Sequence, residues 1–176
     1  MTQTPWLVLI DLQHVFASPD SPWAAPGFAG AAAGCARLVE RFAPNVVLTR
    51  FVAPAQPRGA WVPYYEEFAF ARVPDGDPLY GLVDGFAAPG RPVVTAPTFG
   101  KWGPELAAVT GGAPIVLGGV STDCCVLSTA LAAADAGVAV TVVADACAGA
   151  SEADHVRALD AMRLYAPLIT VVDSLG

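Results

Sequence analysis

Six short apolar runs punctuate the chain: 6–10 (WLVLI), 45–49 (NVVLT), 92–95 (PVVT), 114–117 (PIVL), 139–143 (AVTVV) and 168–172 (LITVV). Each is nearly continuous in Val, Ile and Leu rather than alternating, the pattern of strands buried on both faces of a parallel sheet. Four helical segments lie between them. Residues 28–42 carry apolar side chains at helical spacing and stop before Pro44, and 103–109 stops at Gly111 and Gly112. Residues 122–136 are rich in Ala and Leu and close at Gly137, a good C-cap, while 151–165 opens on Ser151 with Asp154 three residues on. The order β-α-β, a long insert over 51–91, then β-α-β-α-β-α-β predicts one α/β domain over 1–176. It is a three-layer αβα sandwich around a six-stranded, mostly parallel sheet. The doubly wound order 3-2-1-4-5-6 is the one expected, although no residue pattern dictates it.

Composition adds limits. The chain has 176 residues, 55% hydrophobic and 14% charged, enough to build a proper core and far from a disordered composition. A formal net charge of −7 argues against a nucleic-acid backbone or an anionic membrane as partner, since both reward clustered Lys and Arg. No apolar stretch reaches the ~20 residues that span a bilayer. The opening residues read as a strand rather than a signal peptide, so a cytoplasmic location is expected. Cys35, Cys124, Cys125 and Cys147 form neither a disulfide framework nor the paired C-x-x-C spacing of a zinc site. The insert carries Trp61, Tyr64, Tyr65, Phe68, Phe70, Tyr80 and Phe86. A loop that long in a compact domain serves as a pocket wall or an oligomer interface, and its aromatic content fits both.

In open α/β sheets ligands bind beyond the carboxyl ends of the strands. Asp11 follows the first run, Lys101 follows the third, and Ser121, Thr122, Cys124 and Cys125 follow the fourth. Taken singly, each has an ordinary reading: a turn aspartate, a surface lysine, a small buried hydrophobe. A carboxylate, an ammonium and a thiol converging at one crevice is what points to chemistry. The opening turn of a helix has free N–H groups and the positive end of its dipole, which lower a thiol's pKa and can hold an oxyanion. Adjacent helical residues point ~100° apart, so one cysteine faces the crevice better. Periodicity does not say which, because the segment is apolar nearly all round.

The run GVSTDCCVLSTALAAADAGV, followed by VTVVADACAGAS, resembles the isochorismatase-like cysteine hydrolases, a superfamily that includes nicotinamidases, N-carbamoylsarcosine amidase and isochorismatase. The start LVLIDLQHVF, with Asp11, Gln13 and Phe16, and the lysine after the third strand fit the same resemblance. The resemblance implies a triad of Asp11, Lys101 and Cys125, with Cys124 turned away to pack. It implies a non-proline cis peptide between Val120 and Ser121, and an oxyanion hole from the N–H groups of Ser121 and Cys125. Metal-dependent nicotinamidases carry Asp-x-His after the second strand. This chain reads Thr49-Arg50-Phe51 there and has only His14 and His155, so no metal and no other cofactor is expected. Where relatives have Ser-x-Phe after the lysine, this chain has Trp102-Gly103-Pro104.

The activity so implied is cleavage of a C–N bond in a small amide, ureide or carbamoyl substrate through a thioester, by a homo-oligomer. Gln13, Phe16, Arg50, Tyr64, Tyr65 and Trp102 are the expected substrate contacts. Two rival readings stand beside it: a Cys–His hydrolase using His155, and a binding or assembly protein of the same fold without turnover.

Overall fold

The computed structural model describes residues 3–175. Its strands are β1 (Trp6–Ile10), β2 (Val46–Phe51), β3 (Val93–Ala96), β4 (Ile115–Val120), β5 (Val140–Ala148) and β6 (Ile169–Val172). They form a single six-stranded sheet in the order β3-β2-β1-β4-β5-β6, with every ladder parallel. The helices are α1 (His14–Ala17), α2 (Phe28–Phe42), α3 (Trp61–Glu67), α4 (Pro104–Thr110), α5 (Leu127–Asp135) and α6 (Glu152–Arg163).

The period of two along β1 divides the core. Leu7 and Leu9 point into one apolar cluster with Cys35 and Leu38 of α2. Val8 and Ile10 point into the other, with Leu106 of α4, Ala130 of α5 and Met162 of α6. A strand sandwiched this way must be apolar on both sides, which is why the runs do not alternate.

β4 and β5 run further than their β-branched residues indicate. Gly118, Gly119 and the stretch 145–148 have no strand-forming composition, yet Gly119 pairs with Cys147 and Val120 with Ala148, after a register shift beyond Leu117. Gly119 sits at φ +116°, and a Cβ there would lie 2.1 Å from the Ile10 carbonyl oxygen. Only glycine lets the end of β4 pass so close to the end of β1. That approach sets Asp11 beside the turn that follows β4.

Four short elements are absent from the sequence expectation. The insert folds as α3 and two 3₁₀ turns, Ala69–Ala71 and Pro78–Tyr80, and α1 forms directly after β1. The segment expected as one helix over 122–136 is a π turn, Thr122–Val126, running into α5. No helix of the described residues is long and apolar enough to cross a membrane.

Candidate active site

The floor of the site is a buried ion pair. Lys101 Nζ lies 2.9 Å from Asp11 Oδ2, with both side chains sealed from solvent. Two charges so buried persist only when their remaining hydrogen bonds are met. The ammonium also donates to the carbonyls of Thr98 (2.6 Å) and Phe99 (3.0 Å). It sits over the Phe51 ring, 5.2 Å from the centroid, where the ring quadrupole favours a cation.

Two threonines fix this floor, and neither stands out in the sequence. Asp11 is held at φ +49°, a left-handed conformation unusual for a residue with a side chain. Thr49 of β2 stabilises it from both ends: its hydroxyl accepts the Asp11 N–H (3.1 Å) and donates to Asp11 Oδ1 (2.6 Å). Thr129 of α5 does the same between two chain segments. Its hydroxyl accepts the Lys101 N–H (2.9 Å) and donates to the Cys125 carbonyl (2.6 Å). Thr129 lies four residues after Cys125 and so on the same helical face, the one signal the sequence offered.

Cys125 is buried in the π turn, its ladder marked by the Val126 N–H donating to the Ser121 carbonyl five residues back. The Val120–Ser121 peptide before it is cis. Burial pushes the Cys125 thiol well above the usual thiol range; the Asp11 carboxylate adds to this, and Lys101 opposes it only in part. This runs against the expectation of a lowered thiol pKa at a helix start, because desolvation outweighs the helix terminus. Cys124, expected to turn away and pack, is packed against the second apolar cluster and also lines the cavity beside Cys125. Burial, with Asp123 next to it, pushes its thiol up to about 11.

Above this floor opens a cavity of about 360 Å³. Its walls come from the carboxyl end of the sheet: Phe16 and Trp23 after β1, Phe51 ending β2, Tyr64 and Phe68 of the insert, and Phe99 after β3. Trp23 is the hub of these rings, with Phe51 and Phe70 edge-on at 5.5 and 5.0 Å between centroids and Phe68 tilted at 5.6 Å. Tyr64 packs on Phe68 at 4.8 Å. Burial pushes the Tyr64 phenol above its usual range, so it remains a hydroxyl.

Of the expected substrate contacts, Phe16 and Tyr64 line this cavity, and four do not. Gln13 is fully buried and its amide is saturated by backbone: it donates to the carbonyls of Phe51 (3.0 Å) and Tyr80 (2.8 Å) and accepts the Phe51 N–H (2.7 Å). It therefore pins β2 and the insert to the turn after β1. Arg50 points away to Asp75, at 2.6 Å, and to the Tyr80 carbonyl. Tyr65 is buried against Trp61, and Trp102 packs against the second apolar cluster. Trp23 and Asp123 are cavity residues that sequence reasoning missed. Trp23 follows β1 in a Ser/Pro-rich loop, and its place after a strand end was the available signal.

His155 does not face the cavity. Its Nδ1 is 2.8 Å from the Thr122 hydroxyl, and it lines a separate recess of about 150 Å³ with Cys147 and Ser151. The stretch where metal-dependent relatives carry their ligands does not fit a metal. Thr49 serves Asp11, Arg50 is a cation paired to Asp75, and Phe51 is a ring in the core. Among the described residues no three His, Cys, Asp or Glu side chains gather as a ligand set.

A carboxylate and an ammonium, with a buried thiol in their field, thus sit at the switch point of a doubly wound sheet. The isochorismatase domain family model matches residues 5–173, and the chain belongs to that family. It is 39% identical over 71 residues to isochorismatase domain-containing protein 2 of Xenopus laevis, a stretch that is 40% of this chain and 35% of that protein. The chain thus spans about a third of the length of that relative. Among solved structures, an isochorismatase family protein from Desulfovibrio vulgaris superposes with a TM-score of 0.83 at 23% identity, covering 97% of this chain and 94% of that one. N-carbamoylsarcosine amidase from Thermoplasma acidophilum superposes with a TM-score of 0.77 at 20% identity over 99% of both chains. At these identities the likeness establishes the fold.

Proposed function

We propose that this chain is a metal-independent cysteine hydrolase that cleaves a C–N bond of a small amide, ureide or carbamoyl substrate. The observation that carries this reading is the sealed Asp11–Lys101 ion pair whose charges act on the buried Cys125 thiol, with that cysteine on the lining of a small aromatic cavity. The amidase among its structural neighbours supports the same reaction class.

Asp11 is the general base. Because the thiol rests protonated, its proton passes to Asp11 as sulfur attacks the substrate carbonyl carbon, rather than before substrate arrives. The C–S bond forms and the carbonyl oxygen takes the electron pair, held by the N–H groups of Ser121 and Cys125. Collapse re-forms the carbonyl and breaks the C–N bond, and the nitrogen leaves with the proton held by Asp11. Water then attacks the thioester, again giving a proton to Asp11, and the C–S bond breaks to release the acid and restore the thiol. Lys101, held by the Thr98 and Phe99 carbonyls, keeps the Asp11 carboxylate in place and offsets its buried charge.

Ammonia release from a panel of primary amides and ureides, followed by mass spectrometry of the acyl-enzyme, is the direct test. A covalent adduct on the peptide bearing Cys125 is expected. Turnover unchanged in Cys125→Ala would overturn the mechanism, and ligand binding without turnover by any member of the panel would favour a binding protein of this fold.

A further inference from the structure

The cavity wall is not uniformly apolar. Among the described residues that line it, Asp123 carries the one formal charge, in a lining that also holds the rings of Trp23, Tyr64 and Phe68. The Asp11–Lys101 pair beneath is self-compensated, so the cavity as a whole is left with one negative charge.

Half of that carboxylate is committed. Asp123 Oδ1 accepts the Ala150 N–H at 2.9 Å, which ties the turn after β5 to the nucleophile turn. The other oxygen, Oδ2, has only the Cys124 thiol, a weak donor at 3.6 Å. No ion pair of the described residues includes Asp123. The surroundings reinforce the sign: the fields of Asp123 and Asp154 act on Cys124, and that of Glu67 acts on Tyr64. The whole chain carries a net charge of −7, which draws cations and repels anions at the encounter stage.

In the free protein, Oδ2 of a partly exposed carboxylate is met by water. A ligand that displaces this water without supplying a donor leaves a charged acceptor unmet in an aromatic cavity, which costs affinity. A ligand that brings a protonated amine replaces the water by a charge-assisted hydrogen bond in a setting of low dielectric. Its flat body then lies among the rings while its carbonyl reaches Cys125.

We propose that the substrate is a small cationic amide: a flat apolar body bearing the scissile amide or ureide at one end and a protonated amine at the other, received by Asp123. This rests on the amidohydrolase reading above and deepens it.

A matched set of 3-(aminomethyl)benzamide, 3-(hydroxymethyl)benzamide and 3-carbamoylbenzoate holds the ring and amide constant while the charge runs from positive through neutral to negative. For the wild type, kcat/KM is expected to fall in that order, with about a tenfold step from cationic to neutral, and the KM of the cationic member is expected to rise with salt. Asp123→Asn keeps an oxygen for the Ala150 N–H and removes the charge, and it should bring the cationic and neutral members within about twofold of each other. A neutral or anionic member turned over best by the wild type overturns the proposal, and so does a cationic preference that survives in Asp123→Asn.

If no member is hydrolysed, the reaction class fails, and calorimetric binding of the same three compounds decides the charge preference by itself. Cation-selective binding lost in Asp123→Asn supports the assignment, and absence of selectivity or of any binding refutes it. The wild-type charge order and its salt dependence stand as readouts even where the variant does not fold.

Discussion

The floor and the wall of the cavity are built on opposite principles. On the floor, Asp11, Lys101 and the Cys125 turn are each held by hydrogen bonds, from Thr49, from the Thr98 and Phe99 carbonyls, and from Thr129. On the wall, Trp23, Phe51, Tyr64 and Phe68 are held mainly by ring against ring. Hydrogen bonds have direction, so the floor fixes reacting groups to within the tolerance chemistry needs. Ring contacts have area and weak angular preference, so the wall selects shape and tolerates exchange. In the proposed hydrolase, reaction type therefore belongs to the sheet, and substrate choice to the loops around it.

That contrast breaks most visibly at the reacting groups. Cys125→Ala and Asp11→Asn are each expected to lower kcat by about 10³-fold or more, read by ammonia release, while the circular dichroism of Cys125→Ala stays native. Losses in the wall should not reach this scale. A floor so buried should also fail structurally when half of it is removed. Lys101→Met leaves the Asp11 carboxylate uncompensated, and a loss of about 3–5 kcal/mol in urea unfolding is expected. A stability equal to wild type would show that Asp11 is protonated in that variant or that water reaches it.

Alkaline pH tests the same burial. Burial raises the folded-state pKa of Cys35, Cys125 and Cys147, the last to about 12. A group whose pKa is raised on folding contributes stability that is intact below its unfolded pKa and lost as pH climbs toward the folded value. Stability should thus hold up to about pH 8.5 and then decline by up to about 1.4 kcal/mol per pH unit for each buried thiol. Iodoacetamide should label Cys125 of the folded protein more slowly than free cysteine at pH 8; faster labelling would mean that the thiol is activated before substrate binds.

Smaller effects sharpen the comparison. Thr129→Val removes the link between Lys101 and Cys125 and should cost about 1–3 kcal/mol of stability and about tenfold in kcat with KM unchanged, with Thr129→Ser restoring both. Trp23→Ala should act the other way, raising KM about tenfold with kcat within about twofold, because it removes binding common to ground and transition states. Cys124→Ala, one residue from the proposed nucleophile, should leave kcat within about twofold. That last pair of adjacent cysteines separates floor from wall within a single turn.

Much of this was legible in the chain. The continuous Val/Ile/Leu runs announced a buried parallel sheet, and the span of α2 over Phe28–Phe42 matches its apolar spacing before Pro44. The strand ends also named Asp11, Lys101 and the cysteine pair, because doubly wound sheets place ligands there. The substrate contacts were read less well. Gln13 and Arg50 are polar residues near strand ends, but their partners are the Tyr80 carbonyl and Asp75, far along the chain and invisible to local pattern.

What the sequence determined by itself was the set of layers and the list of reactive groups, since both follow from period, turn residues and position relative to strands. Only the tertiary structure decided the electrostatic state of those groups and who holds them. Desolvation depends on every atom packed around a site. It raised the Cys125 pKa where a helix terminus alone lowers it. Both cysteines came to line one cavity, and two unremarked threonines became the clamps of the floor, because a hydroxyl's importance lies in which distant partners the fold brings to it.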